Sequence, residues 1–202
     1  MWHYITCFGD SALLLPLITW TAIVLALAAP RRDAVRWLVA AVACGGTVAF
    51  SKLVFMAWGI GPPGLDYTGI SGHTALSLFA WPSLAAILFR DARWPGAWLP
   101  VALGFVLGLA VGVSRLALEV HSVSEVLMGA VLGTAVATWF IRGLGPSHDG
   151  RAWRTWSLAG GVVLLGVAFY GRVFPSQHLL QDIAMWLSGH TRVFTRRLHG
   201  LG

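Results

Sequence analysis

Residues 70–89 read ISGHTALSLFAWPSLAAILF. The polar phrase Ser71-Gly72-His73 leads straight into the apolar run Thr74–Phe89, and packing alone does not call for a glycine and a histidine at that lip. A second phrase of the same kind, SRLALEVHSVSE at residues 114–125, joins two further apolar runs. Both phrases fall where a bilayer would meet water, and their placement decides the fold.

Outward from these phrases, six segments approach the ~17–25 apolar residues that cross a ~30 Å hydrocarbon core. They are Ser11–Ala29, Ala34–Trp58, Thr74–Phe89, Ala97–Val113, Ser122–Ile141 and Ser157–Phe174. The third and fourth are short and borrow flanking residues or tilt little. The expected fold is all-α: a polytopic membrane bundle of about six transmembrane helices over residues 1–174, followed by a tail over 175–202. Glycines at 104, 108 and 112 and at 129 and 133 form small-residue ridges that let helix backbones approach closely. In the tail, Leu179, Leu180, Ile183, Trp186, Leu187, Val193, Phe194 and Leu198 recur near helical spacing. They predict an amphipathic helix in the membrane interface, broken at Gly189.

Composition agrees with the spans. The chain of 202 residues is 57% apolar and only 11% charged, with 11 Trp, which is too apolar for a soluble domain of this size. Its net charge of +6 does not indicate a nucleic-acid partner, because the arginines sit in short clusters between apolar runs. Arg31, Arg32 and Arg36, then Arg90 and Arg93, then Arg142, Arg151 and Arg154 fall in alternate loops. The positive-inside rule makes those loops cytoplasmic. Both motif segments and both ends of the chain then face outward, toward the periplasm or exterior if this is a bacterial inner-membrane protein. No Lys or Arg precedes the first apolar run while Asp10 does, so that run is expected to be an uncleaved span. Cys7 and Cys44 give no disulfide framework, and no metal or cofactor is expected.

The chemistry lies in a few polar residues. His121 and Glu125 stand four apart at a helix start and share one face. A carboxylate there can hold one ring nitrogen and leave the other free as a nucleophile; taken alone, an interfacial histidine with an acid complementing the helix dipole would also explain them. Arg115, after Ser114, offers a fork that suits phosphate oxygens. Ser71 can cap the third span, where free amides favour an anion. Gly72 allows close approach to the backbone, and His73 can protonate a leaving group. Lys52 lies about two turns before the end of an apolar span, a costly place for a cation without a function or a partner.

The order lysine, Ser-Gly-His, then Ser-Arg-(five)-His-(three)-acid resembles the signature motifs of the type-2 phosphatidic acid phosphatase superfamily, the membrane lipid-phosphate phosphatases. The motifs run from Lys52 to Glu125. The resemblance implies a metal-independent phosphatase working through a phosphohistidine: His121 attacks phosphorus, Glu125 orients it and His73 protonates the departing oxygen. Lys52, Ser71, Gly72, Ser114 and Arg115 would hold the phosphoryl oxygens, with a membrane lipid phosphate or diphosphate as substrate. A phosphotransferase to a lipid or sugar acceptor, or a non-catalytic lipid-phosphate transporter or binding protein, are the alternatives.

Three departures mark the chain. The first motif's arginine and proline are replaced by Gly59 and Ile60, Ile70 stands where proline usually precedes Ser-Gly-His, and Glu125 replaces an aspartate. With one phosphate-binding arginine absent, Arg172 at the end of the sixth span is expected to supply the compensating cation. The tail arginines Arg192, Arg196 and Arg197 are expected to attract anionic lipid instead.

Overall fold

A computed structural model of the chain describes residues 1–91, 96, 98–145 and 152–196. Its elements are α1 (Trp2–Thr6), a 3-10 turn (Cys7–Gly9), α2 (Ser11–Ala28), α3 (Arg31–Trp58), α4 (Gly72–Phe89), α5 (Leu99–Ala117), α6 (Val123–Arg142), α7 (Ala152–Phe169) and α8 (Ser176–Ser188). Six helices are long and apolar enough to cross a membrane, with α1 and the turn continuing into α2. The protein is an integral membrane helix bundle.

Several span boundaries differ from expectation: α3 begins at Arg31 rather than Ala34, and α7 ends at Phe169 rather than Phe174. α5 continues to Ala117, so Ser114 and Arg115 belong to its last turn and only a short link leads to His121. α7 begins at Ala152 rather than near Ser157. It can do so because Arg154, expected in a loop, is buried inside the helix against Asp91 at 2.9 Å. Arg90 is likewise paired with Asp33 at 2.8 Å, and Arg36 donates to the Trp139 carbonyl. Several arginines that sequence assigns to loops are therefore engaged within the bundle. Ala97, Arg93, Arg151, Arg197 and Leu198 lie outside the described residues.

α4 is the axle of the bundle, with most of its side chains buried. The core packs on it: Trp37 of α3 meets Phe79 and Phe140 rings at 4.9 and 5.2 Å and donates to the Ile18 carbonyl. The two glycine ridges clasp α4 from α5 and α6. A Cβ at Gly104 would stand 2.6 Å from the Pro82 nitrogen, one at Gly108 2.8 Å from Leu78, and one at Gly129 2.8 Å from the Ser71 carbonyl. Only glycine admits such backbone contact.

At the site end of the bundle, α3 stops at Gly59, whose φ of 66° is a left-handed cap. The link to α4 is then laid back on α3: Ile70 N donates to Ser51 Oγ at 3.0 Å. Gly69, at φ 130°, lies so close that a Cβ would meet Lys52 Cγ at 2.5 Å. α8 packs on the end of α3 through Leu180 and Ala184 against Leu53, Met56 and Ala57. It ends at Gly189, φ 68°, as its sequence predicted. Trp186, Leu187 and Leu179 remain exposed, which leaves the helix an apolar outer face.

Candidate phosphoryl-transfer site

The site is assembled where α4, α5 and α6 meet the polar end. α6 begins with a capping box: Ser122 Oγ accepts from Glu125 N while Glu125 Oε2 accepts from Ser122 N. The box aims the fully buried Glu125 back toward His121, whose Nδ1 stands 2.6 Å from Glu125 Oε2. The other carboxylate oxygen, Oε1, accepts from both the backbone and the hydroxyl of Thr68 at 2.6 Å. Glu125 thus fixes an imidazole with one oxygen and the incoming α3–α4 link with the other. Its carbonyl also accepts from Ser71 N at 3.1 Å, joining the starts of α4 and α6.

His121 is nearly buried, and among the described residues its Nε2 has no hydrogen-bond partner. Burial pushes the imidazole below its ordinary value. The Glu125 bond opposes that shift, and the charges of Lys52 and Arg115 reinforce it. Burial therefore favours the uncharged ring, with Nε2 open. Around it stand cations with little else to do. Among the described residues no hydrogen bond or ion pair engages the Lys52 ammonium. Arg115 spends one nitrogen on Thr6 Oγ1 at 2.9 Å, and its buried Nε has no partner.

His73, in the first turn of α4, meets a carboxylate that sequence reasoning missed. Its Nε2 lies 3.5 Å from Asp10 Oδ2, while Asp10 Oδ1 caps α2 by accepting from Ala12 N at 2.8 Å. The 3-10 turn brings this about, since Gly9 packs into the space beside His73 Cβ, Ser77 and Val111. Asp10 stood out in the sequence only as an acid before an apolar run; its assignment to the same face as the motifs was the usable signal.

The expected site residues therefore divide. His121, Glu125, His73, Lys52, Gly72 and Arg115 converge on one end of the bundle. Ser71 occupies the N-cap position but makes no capping bond: it is fully buried and its hydroxyl pairs with Thr74 Oγ1 at 2.9 Å. Ser114 is also fully buried, its hydroxyl returned to the Val111 carbonyl at 2.6 Å. Arg172 does not join the cluster. Its guanidinium lies over Phe169 at 5.9 Å, in a cleft of about 620 Å3 between α2 and α7 lined by Leu15, Trp20, Ile23 and Leu165. α7 ends at Phe169, so Arg172, expected at the end of the sixth span, lies beyond the helix, after a turn at Gly171 with φ 77°. The cation that reaches the cluster comes from the tail instead: Arg196 lies 3.1 Å from Glu125 Oε2 and 3.0 Å from Asp66 Oδ2. Arg192 is exposed. Among the described residues no group of three or more His, Cys, Asp or Glu side chains is placed to hold a metal ion.

Comparison with known proteins places this geometry. The chain is 38% identical over 207 residues to an uncharacterized 22.5 kDa protein in the cps region of Klebsiella pneumoniae, covering 96% of this chain and 95% of that one. No solved structure matches it. The family model of the PAP2 superfamily matches residues 56–149, the stretch that contains His73, Arg115, His121 and Glu125. The family of lipid-phosphate phosphatases that the motifs resemble is thus the family that the comparison returns: the chain belongs to the PAP2 superfamily.

Proposed function

We propose that this protein removes phosphate from a lipid phosphate or diphosphate at the outer face of a bacterial inner membrane, through a phosphohistidine and without a metal. Membership of the superfamily carries phosphatase-type chemistry on phosphate esters. The observation that supports the finer reading is a nearly buried imidazole anchored through Nδ1 to Glu125, its Nε2 without a partner among the described residues, beside two under-satisfied cations.

The Nε2 lone pair of His121 attacks phosphorus as the bond from phosphorus to the leaving oxygen breaks, and His73 gives that oxygen its proton. Lys52, Arg115 and the Gly72 amide at the start of α4 take up the charge spreading over the phosphoryl oxygens. Glu125 stabilises the imidazole as it becomes cationic. Water then attacks the phosphohistidine, the P–N bond breaks, the water proton passes to His73, and inorganic phosphate leaves with both histidines restored. A lipid substrate fits a site at the mouth of a bundle whose α2–α7 cleft is apolar and begins at Ser11, next to Asp10.

The test is phosphate release by purified protein from a panel of lipid monophosphates and diphosphates, with and without a chelator. Release that a chelator leaves unchanged is expected. No release from any member overturns the hydrolase reading, and transfer of label to an added lipid or sugar alcohol instead of water would identify a phosphotransferase.

A further inference from the structure

The tail folds back on itself. Gly189 reverses the chain, the His190 ring sits edge-on to Phe194 at 6.1 Å, and Phe194 N donates to the Met56 carbonyl at 2.9 Å. Val193 joins the small apolar cluster of Met56, Ala57 and Ala184. These contacts carry residue 196 across the end of α3. Its guanidinium bridges Asp66 of the α3–α4 link and Glu125 of α6. The Asp66 carbonyl in turn accepts from the Ser122 and Ser124 hydroxyls, so Arg196 closes a ring of bonds around the start of α6.

Arg196 shares Glu125 Oε2 with His121 Nδ1. Its bonds run to Glu125 and Asp66, the carboxylates on the anchored side of the imidazole, so it is not assigned the missing first-motif arginine's place on the phosphate. We infer that Arg196 is a positioning residue that acts on the nucleophile through Glu125, keeping the carboxylate in place while moderating the negative charge that His121 feels. This inference rests on the assignment of His121 as nucleophile.

The groups facing His121 are Glu125 from α6, Lys52 from α3, Arg115 from α5, Arg196 with Asp66 near it, and His73 with Asp10 further away. Removing the Arg196 cation leaves Glu125 with one donor fewer and a stronger hold on the proton at Nδ1. The imidazole then protonates at higher pH, and less of it is nucleophilic near neutrality.

The experiment compares wild type, Arg196→Gln and Arg196→Lys in two measurements on purified protein: kcat/KM against pH, and the NMR titration of labelled histidine, with His121 identified by its disappearance in His121→Ala. For Arg196→Gln the titration is expected to move up and kcat/KM to fall roughly tenfold at mildly acidic pH, a loss that recovers at mildly alkaline pH. Arg196→Lys stays close to wild type because the cation is kept. A loss that is equal at every pH, or a His121 titration that does not move, overturns the inference and leaves the tail a structural brace. Arg196→Met serves the same comparison should the glutamine variant fail to fold. If wild type releases no phosphate at all, the proposed function fails, and the titration alone still decides whether Arg196 acts on the Glu125–His121 pair.

Discussion

Asp10 and His73 form the second of two histidine–carboxylate pairs in the site, at 3.5 Å, with the carboxylate delivered by the cap of the first span. In the proposed mechanism His73 is the leaving-group acid, and such an acid acts where the departing oxygen is a poor leaving group. Asp10→Asn is therefore expected to slow hydrolysis of a lipid alkyl phosphate by roughly tenfold or more, and His73→Ala by ~10²-fold or more. Both should leave p-nitrophenyl phosphate, whose leaving group needs no proton, much closer to wild type. Equal losses on the two substrates would show that Asp10 only caps α2.

His121→Ala is expected to abolish turnover without loss of fold, and acid-labile, base-stable phosphate should be trapped on wild type alone. Substitution of any other histidine should leave the trapped label present.

At Glu125, the two oxygens hold different partners: Thr68 on one, His121 and Ser122 on the other. Glu125→Gln keeps the size but loses the charge, and kcat is expected to fall ~10²-fold or more with little change in KM. Glu125→Asp restores the family's residue, yet one methylene shorter it cannot reach both sets of partners. A partial loss of kcat is expected, and full activity in steady-state kinetics would show that the Thr68 bonds are dispensable.

The pH dependence follows from burial of His121. In the proposed mechanism the free imidazole is the nucleophile, and burial, aided by Lys52 and Arg115, holds its folded-state value below the ordinary histidine value of ~6.5. Activity is lost as pH falls through that depressed value, so the acid limb of kcat/KM should lie below the ordinary histidine range. Lys52→Met removes one of the cations and should move the limb upward. A limb that stays in place would separate the Lys52 charge from the nucleophile.

The link that delivers His121 contains Glu119 at φ 54°, the one non-glycine residue with positive φ among those described. That conformation costs about 1 kcal/mol for most side chains and more when the side chain is β-branched. Glu119→Gly should leave thermal stability and kcat near wild type, whereas Glu119→Val should lower the melting midpoint in detergent and reduce kcat by displacing His121.

Much of this architecture was legible in the sequence. The spans expected at Ser11–Ala29 and Ala34–Trp58 are present as Ser11–Ala28 and Arg31–Trp58, and His121 and Glu125 meet as their spacing suggests, although His121 precedes the helix and the capping box turns Glu125 toward it. The end of α5 was misread because Ser114 and Arg115 look like loop residues. The helical bond from Leu118 N to the Ser114 carbonyl continues past them, and Arg115 finds its polar partner in Thr6. Asp10 was hidden by an adequate local explanation, since a cap before an apolar helix asks for no second partner. Arg196 was illegible for a different reason: its position depends on a chain reversal at Gly189 and on Val193 seating against α3, relationships between distant segments that no local period encodes. Arg172 shows the converse: an apolar run that reads as a span up to Phe174 stops being helical at Phe169, and the residue leaves the position its run suggested.

The glycine clasp on α4 gives this enzyme a main-chain ruler. His73 rides on a helix held by backbone-to-backbone contact with α5 on one flank and with α6, which carries Glu125, on the other. The offset between the two halves of the site is inherited largely from peptide geometry, with the Leu78 and Thr74 side chains seated against Gly108 and Gly112. The side chains that line the α2–α7 cleft, which begins at Ser11 beside Asp10, take no part in that clasp. They are free to diverge, and on the proposed lipid-phosphate reading the tail accommodated can change with them while the spacing of α4, α5 and α6 stays constant.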